Sequence, residues 1–262
     1  MPVSLAQILE TTRRRLPDLA ARRRELERAA LAAPPPPAFD ATLRRPAVAL
    51  IAEVKRRSPS AGPLAGGLDA PARAATYAAA GAAAISVLTD EPFFGGSLDD
   101  LRAVTAVVVV PALRKDFILA EEQLLEARAA GASAALLIVR ALGAARLAAL
   151  ARTARDLGLG TLVEVHTAAE LDVAVEAGAD VIGVNSRDLD TFRIDIDAAW
   201  RLVARVPAER IAVAESGMAS VADAERAAAA GADAVLVGTA LSSAADPMAL
   251  AAGIAGLVRR GR

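Results

Sequence analysis

Cysteine is absent from this chain, histidine occurs once, and lysine occurs only twice, at Lys55 and Lys115. Without cysteine there is no disulfide framework and no thiolate chemistry, and a reducing compartment fits, so a cytoplasmic location is expected. A lone histidine and no thiol leave no ligand pair for zinc, and neither a metal nor a cofactor is expected. No uncharged apolar run of about 20 residues appears. The opening "MPVSLAQILE" lacks the basic-then-apolar order of a secretory leader. A membrane partner is therefore not expected. The formal net charge of -1 offers no polycationic surface, so a nucleic-acid partner is not expected either. Residues 1–46 carry nine Arg against five acids, which reads as an amphipathic helix with a solvated Arg face rather than an RNA-binding tail.

What is present is a 262-residue chain that is 55% hydrophobic, enough for one large core. Of its 30 basic residues, 28 are Arg. Arg replaces Lys wherever a positive charge suffices, but it does not release a proton near neutral pH. The two surviving lysines therefore point to places that need a titratable amine or its compact shape.

A four-fold echo organises the chain: "AAGAAAISVL", "AAGASAALLIV", "EAGADVIGV" and "AAGADAVLVG", with Gly81, Gly131, Gly178 and Gly231 in common. Each reads as a helix ended by a left-handed glycine, then a buried strand. A spacing near 50 residues holds two βα units, not one. The intervening strands are expected at 107–113 ("VVVVPAL"), 160–165 ("GTLVEV") and 210–216 ("RIAVAES"), with the first at 46–54 ("PAVALIAEV"). Eight alternating units predict an α/β fold, a closed (β/α)8 barrel over residues 46–262. An open doubly wound sheet is the runner-up, but the dinucleotide-binding glycine turn is missing. Residues 1–45 are expected to form a helical extension packed on the barrel within a single structural domain, broken once at Pro17 and followed by the stiff spacer "PPPP".

In such a barrel the active site lies at the C-terminal strand ends. Those ends carry Glu53 and Lys55, Ser86 and Thr89, Arg114-Lys115-Asp116, Arg140, Glu164 with His166, Asn185 with Arg187, Glu215-Ser216, and Gly238-Thr239. Both lysines are among them. Strand ends are roughly a tenth of a barrel, so chance placement of both is about one in a hundred. An acid such as Glu164 on a buried strand is paired or functional. Asn185 and Arg187 suit carboxylate recognition. His166 reads first as a hydrogen-bonded wall residue. "AESGM" and "VGTAL" place Ser216, Gly217, Gly238 and Thr239 where barrels bind phosphate, with "SSAADP" expected to start the accompanying short helix. The chemistry expected is proton transfer on a phosphorylated, sugar-like small molecule.

At these residues the chain resembles the indole-3-glycerol phosphate synthase family. The resemblance rests on "IAEVKRRSPSAG", "AAAISVLTDEPFFGGSLDDL", "LRKDFI", "LLIVRAL", "LVEVHT", "IGVNSRDLDTF", "AESGM" and "LVGTAL", in family order over residues 46–245. It implies ring closure of 1-(2-carboxyphenylamino)-1-deoxyribulose 5-phosphate with loss of carbon dioxide and water. It further implies Lys115 as general acid and Glu164 as general base, with Lys55 and Glu53 beside them. Ser58, Phe94, Phe117, Asn185, Arg187 and Glu215 would contact substrate, and Ser216, Gly217, Gly238 and Thr239 would grip phosphate. A monomer is expected, with a weak homodimer as the alternative. Departures from the family pattern fall at Ala61, "LAGGLDAP" (64–71) and "LAEEQ" (119–123). The rival readings are another phosphate-binding barrel enzyme (an isomerase or a Schiff-base aldolase) and, more remotely, a barrel without catalysis.

Overall fold

Gly81, Gly131, Gly178 and Gly231 all sit at positive φ, between 76° and 103°. A β-carbon is disfavoured there, so these glycines end their helices and turn the chain straight into a strand. The computed structural model describes residues 4–58, 62–64 and 68–260. Apart from a two-residue antiparallel ladder (Arg57–Ser58 with Gly62–Pro63), its strands are β1 (Ala49–Val54), β2 (Ala84–Leu88), β3 (Ala112–Lys115), β4 (Ala134–Ile138), β5 (Gly160–Val165), β6 (Val181–Asn185), β7 (Ile211–Glu215) and β8 (Ala234–Val237), the barrel set. All are parallel, each pairs with its sequence neighbours, and β1 pairs with both β2 and β8, closing the barrel. With helices between the strands, this is the expected (β/α)8 architecture.

Alternation along β1 shows how the core divides. Ala49 and Ile51 join the apolar cluster that holds Leu113, Leu136, Leu162 and Leu236, while Leu50, Ala52 and Val54 join the layer facing the helices. Two apolar layers thus enclose every strand, which is why the strands read as near-continuous hydrophobic runs.

Three local expectations change. The run "VVVV" is not the third strand: Val107 and Val109 are exposed, and pairing starts at Ala112. Thr105 ends the preceding helix, so these valines fill the helix-to-strand turn, where only Val108 and Val110 pack on the core. Pro17 does not break its helix, which runs from Leu5 to Ala21. Pro17 is exposed, so the carbonyl it deprives of a partner faces water. The interruption comes instead at Arg22, before a second helix, Arg23–Ala32. Lastly, the helix after β8 is Thr239–Ser243, beginning at the strand end itself; "SSAADP" serves the next helix, where Asp246 caps the N–H of Ala249 at 2.9 Å.

Ahead of the barrel, helix Arg23–Ala32 lies against helix Glu121–Ala129. Phe39 of the short helix Phe39–Leu43 packs on Gly160, where β5 begins, and Leu5, Ile8 and Leu9 join the cluster inside the barrel. Among the described residues, no helix is long and apolar enough to cross a membrane.

Candidate active site

Continuing the inward alternation of β1 past Ile51 gives Glu53 and then Lys55. Their side chains meet, Nζ to Oε1 at 2.7 Å. The space they occupy is made by Gly238 at the end of β8. A β-carbon there would overlap Glu53 Oε1 and stand 3.1 Å from Lys55 Nζ. Ser242 of the helix after β8 donates its hydroxyl to the Lys55 carbonyl at 3.3 Å, tying the two ends together.

On β3, neighbouring residues point to opposite sides. Arg114, only 2% exposed, turns outward into a buried network with Asp116 (2.9 Å), Glu126 (3.3 Å), Thr89 (3.1 Å) and the Gln123 carbonyl (2.6 Å). "RKD" is therefore not a solvated charge cluster, and Thr89 and Asp116 belong to this anchor. Gln123 also accepts the N–H groups of Leu119 and Ala120 and donates to the Phe117 carbonyl. That single side chain holds the "LAEEQ" turn. Anchored on both sides, Lys115 projects inward.

Lys115 Nζ lies 3.0 Å from Glu164 Oε2 and 3.3 Å from Glu215 Oε2. Burial works against the ammonium, but the carboxylates of Glu164, Glu215 and Glu53 outweigh it and raise Lys115 above the usual lysine range. Burial likewise disfavours charge on Glu164; Lys115 and His166 outweigh it and hold this carboxyl below its ordinary value. Glu215 fares differently. Burial pushes it up, Lys115 opposes this, repulsion from Glu164 adds to it, and the carboxyl ends at about 8. Of the two carboxyls beside the ammonium, Glu215 is thus the one that holds a proton more readily. Glu164 Oε1 and Glu215 Oε1 are buried without a hydrogen-bond partner. Gly183 on β6 leaves room for the latter, since a β-carbon there would overlap Glu215 Oε1.

Beyond β6, Asn185 Oδ1 accepts the Arg187 N–H at 3.0 Å, and Arg187 Nη1 donates to the Phe192 carbonyl at 3.1 Å. Burial lowers the Arg187 pKa, the sign of a cation that gains from an anionic partner. Past β7, Ser216 and Gly217 are both left-handed, with φ of 64° and 74°. A β-carbon on Gly217 would also press on Ile196, at 2.9 Å. Opposite stands an apolar wall containing Phe94 and Phe117, whose ring centroids are 6.2 Å apart.

These groups line one cavity of about 420 Å³. It brings together Glu53, Lys55, Phe94, Lys115, Phe117, Glu164, Asn185, Arg187, Glu215, Ser216, Gly217, Gly238 and Thr239. Only Ser58 of the expected set is not placed: its backbone forms a two-residue ladder with Gly62, and its side chain lies outside the described residues, as does all of Ala61 and 65–67 of "LAGGLDAP". Two contributors escaped sequence reasoning. Phe192 lines the cavity at φ 56°, a conformation that no local pattern in "DTFRI" signals. Gly183 had a usable signal, a glycine inside an otherwise β-branched strand, which marks close approach by another group.

Such a cavity, with opposed amine and carboxyl groups at one end and amide-rich turns at the other, can move protons on an anionic substrate. The family model for indole-3-glycerol phosphate synthase matches residues 5–252. Indole-3-glycerol phosphate synthase 2 of Streptomyces coelicolor is 51% identical over 94% of this chain and 95% of its own length. The indole-3-glycerol phosphate synthase of Opitutus terrae is 48% identical over 96% and 98%. Among solved structures, 3-hexulose-6-phosphate synthase from Salmonella typhimurium superposes with a TM-score of 0.62 at 20% identity, over 79% of this chain and 97% of that one, a likeness of fold alone. The chain belongs to the indole-3-glycerol phosphate synthase family.

Proposed function

We propose that this chain closes the indole ring of 1-(2-carboxyphenylamino)-1-deoxyribulose 5-phosphate, releasing carbon dioxide and water. The observation that carries the reading is the Lys115 ammonium buried between Glu164 and Glu215, 3.0 and 3.3 Å away, in a cavity with an apolar aromatic wall. Phe94 and Phe117 take the aryl ring, and Arg187, held by Asn185 and the Phe192 carbonyl, takes its carboxylate. The turn Ser216-Gly217 and the start of helix Thr239–Ser243 hold the phosphate.

With both ends held, the ring carbon attacks the ribulose carbonyl and Lys115 protonates the oxygen. An arginine there would stabilise that oxygen but not deliver the proton. Loss of the carboxylate as carbon dioxide restores a neutral intermediate. Glu164 then removes the ring-side proton while Lys55, paired with Glu53, gives a proton to the new hydroxyl, which leaves as water, and Lys55 is reprotonated from solvent. A carboxylate is lost while both released molecules are neutral, so each turnover consumes one proton. Glu164, in contact with Lys115, can return its proton to that amine. Glu53 holds Lys55 toward the sugar and phosphate. The substrate is thus a phosphorylated small molecule, handled in the cytoplasm by a monomer of one structural domain, its extension being residues 1–45.

A Schiff-base mechanism needs a largely neutral lysine, and the carboxylates around Lys115 favour the charged form. The test is to supply the carboxyphenylamino-deoxyribulose phosphate and follow indole fluorescence. Indole formation with no adduct trapped by borohydride is expected. A borohydride-stable adduct on Lys115, or no indole, would overturn the reading.

A further inference from the structure

Three side chains outside the cavity lining, His166, Glu170 and Arg140, form a series that ends on Glu164. The His166 side chain is 5% exposed, with Nε2 3.6 Å from Glu164 Oε1 and Nδ1 3.4 Å from Glu170 Oε2. An imidazole is thus wedged between two carboxylates. Glu170 is itself held, accepting the His166 backbone N–H at 2.7 Å and Arg140 Nε at 3.0 Å. Arg140 comes from the end of β4 and uses its other arm on Asp188, Nη1 to Oδ2 at 3.1 Å. Asp188 in turn accepts the N–H groups of Asp190 (3.1 Å) and Thr191 (2.7 Å), and its own N–H donates to the Arg193 carbonyl (2.9 Å). That loop carries Arg187 and Phe192. One connected series of contacts therefore runs from the carboxyl at the end of β5 to the loop after β6.

The parts suit a brace better than a site. Neither His166 nor Arg140 lines the main cavity. A guanidinium can fork between carboxylates on two elements, as an ammonium cannot. Glu164 has Lys115 on one oxygen and His166 Nε2 packed 3.6 Å from the other, with Asn185 also beside the carboxylate, so the imidazole limits its rotation by packing rather than by a hydrogen bond. We propose that His166, Glu170 and Arg140 are positioning residues that fix the Glu164 carboxylate and tie it to the loop bearing Arg187. This rests on the reading of Glu164 as the base. Displacement of a reacting group by about 1 Å can cost on the order of 100-fold in rate, so loss of a brace one contact removed should cost about tenfold.

The test uses the full chain and steady-state indole formation. Arg140→Gln and His166→Ala should each lower kcat about tenfold with KM within about threefold, and the double variant should be no slower than the slower single one. Arg140→Lys should fall between wild type and Arg140→Gln. His166→Asn keeps a polar wedge in place of the ring and should retain most activity. Wild-type kcat in folded Arg140→Gln, multiplicative effects in the double variant, a rise in KM alone, or His166→Asn as slow as His166→Ala would each overturn the proposal. Glu164→Gln separates the two layers: if it stays active, the base assignment falls and the brace with it. If it is inactive while Arg140→Gln is normal, only the brace falls.

Discussion

At the scale of single residues, the contact of Lys115 with Glu164, the proposed acid and base, also bears on stability. With Lys115 present, Glu164 titrates below its ordinary value of 4.5, so the pairing stabilises the fold above that pH and is lost as pH falls through the lowered value. In Lys115→Met the main opposition to burial of Glu164 is gone and only His166 and Asn185 still oppose it, so its pKa moves up and stability falls as pH rises through the new value. The variant should lose about 3–5 kcal/mol at pH 8, with the deficit shrinking toward pH 4, as read by urea unfolding at both pH values. Glu164→Gln should lower kcat at least ~100-fold with little change in KM; a raised KM with unchanged kcat would contradict its role as base. Both lysines were legible in the sequence because Arg had replaced Lys everywhere else, so survival carried information. The partners of His166 were not legible. Glu170 is four residues away and looks like any helix acid, and Arg140 and Asp188 reach the same place from other elements.

At the scale of elements, the barrel was legible because its signal repeats. A left-handed glycine before a buried strand, recurring near every 50 residues, fixes unit size and parallel order without any long-range information. The third strand was misplaced for a physical reason. Four valines satisfy β-propensity, but two of them are exposed in a turn, and the pairing that decides a strand starts only at Ala112. Strand glycines carry the finer information. Gly183→Ala would push its β-carbon into the Glu215 carboxylate, and Gly238→Ala into Glu53. Each should cost about 1–3 kcal/mol of stability and lower activity more than an alanine elsewhere in the strand. Thermal unfolding with parallel kcat measurements checks this, and an unperturbed Gly183→Ala enzyme would show that Glu215 is not confined as described.

At the scale of the whole molecule, a buried guanidinium adds to the apolar contacts that hold the segment before β1 to the barrel. Arg128 donates to the carbonyls of Ala33 and Pro34 at 2.9 Å and to that of Leu157 at 3.1 Å. It is 8% exposed, so Arg128→Met should cost about 2–4 kcal/mol in urea unfolding while leaving kcat at the wild-type level. None of this was visible in "LEARAAG", where Arg128 reads as a solvated helix residue. The proposed chemistry turns on one step, in which Lys115 supplies a proton as the ring closes. Single-turnover indole fluorescence of Lys115→Arg against wild type tests it most directly, with substrate affinity and circular dichroism confirming a bound, folded enzyme. Indole is expected from the wild type and none from the variant on the same timescale; ring closure by Lys115→Arg at a rate near that of the wild type would contradict proton delivery by Lys115.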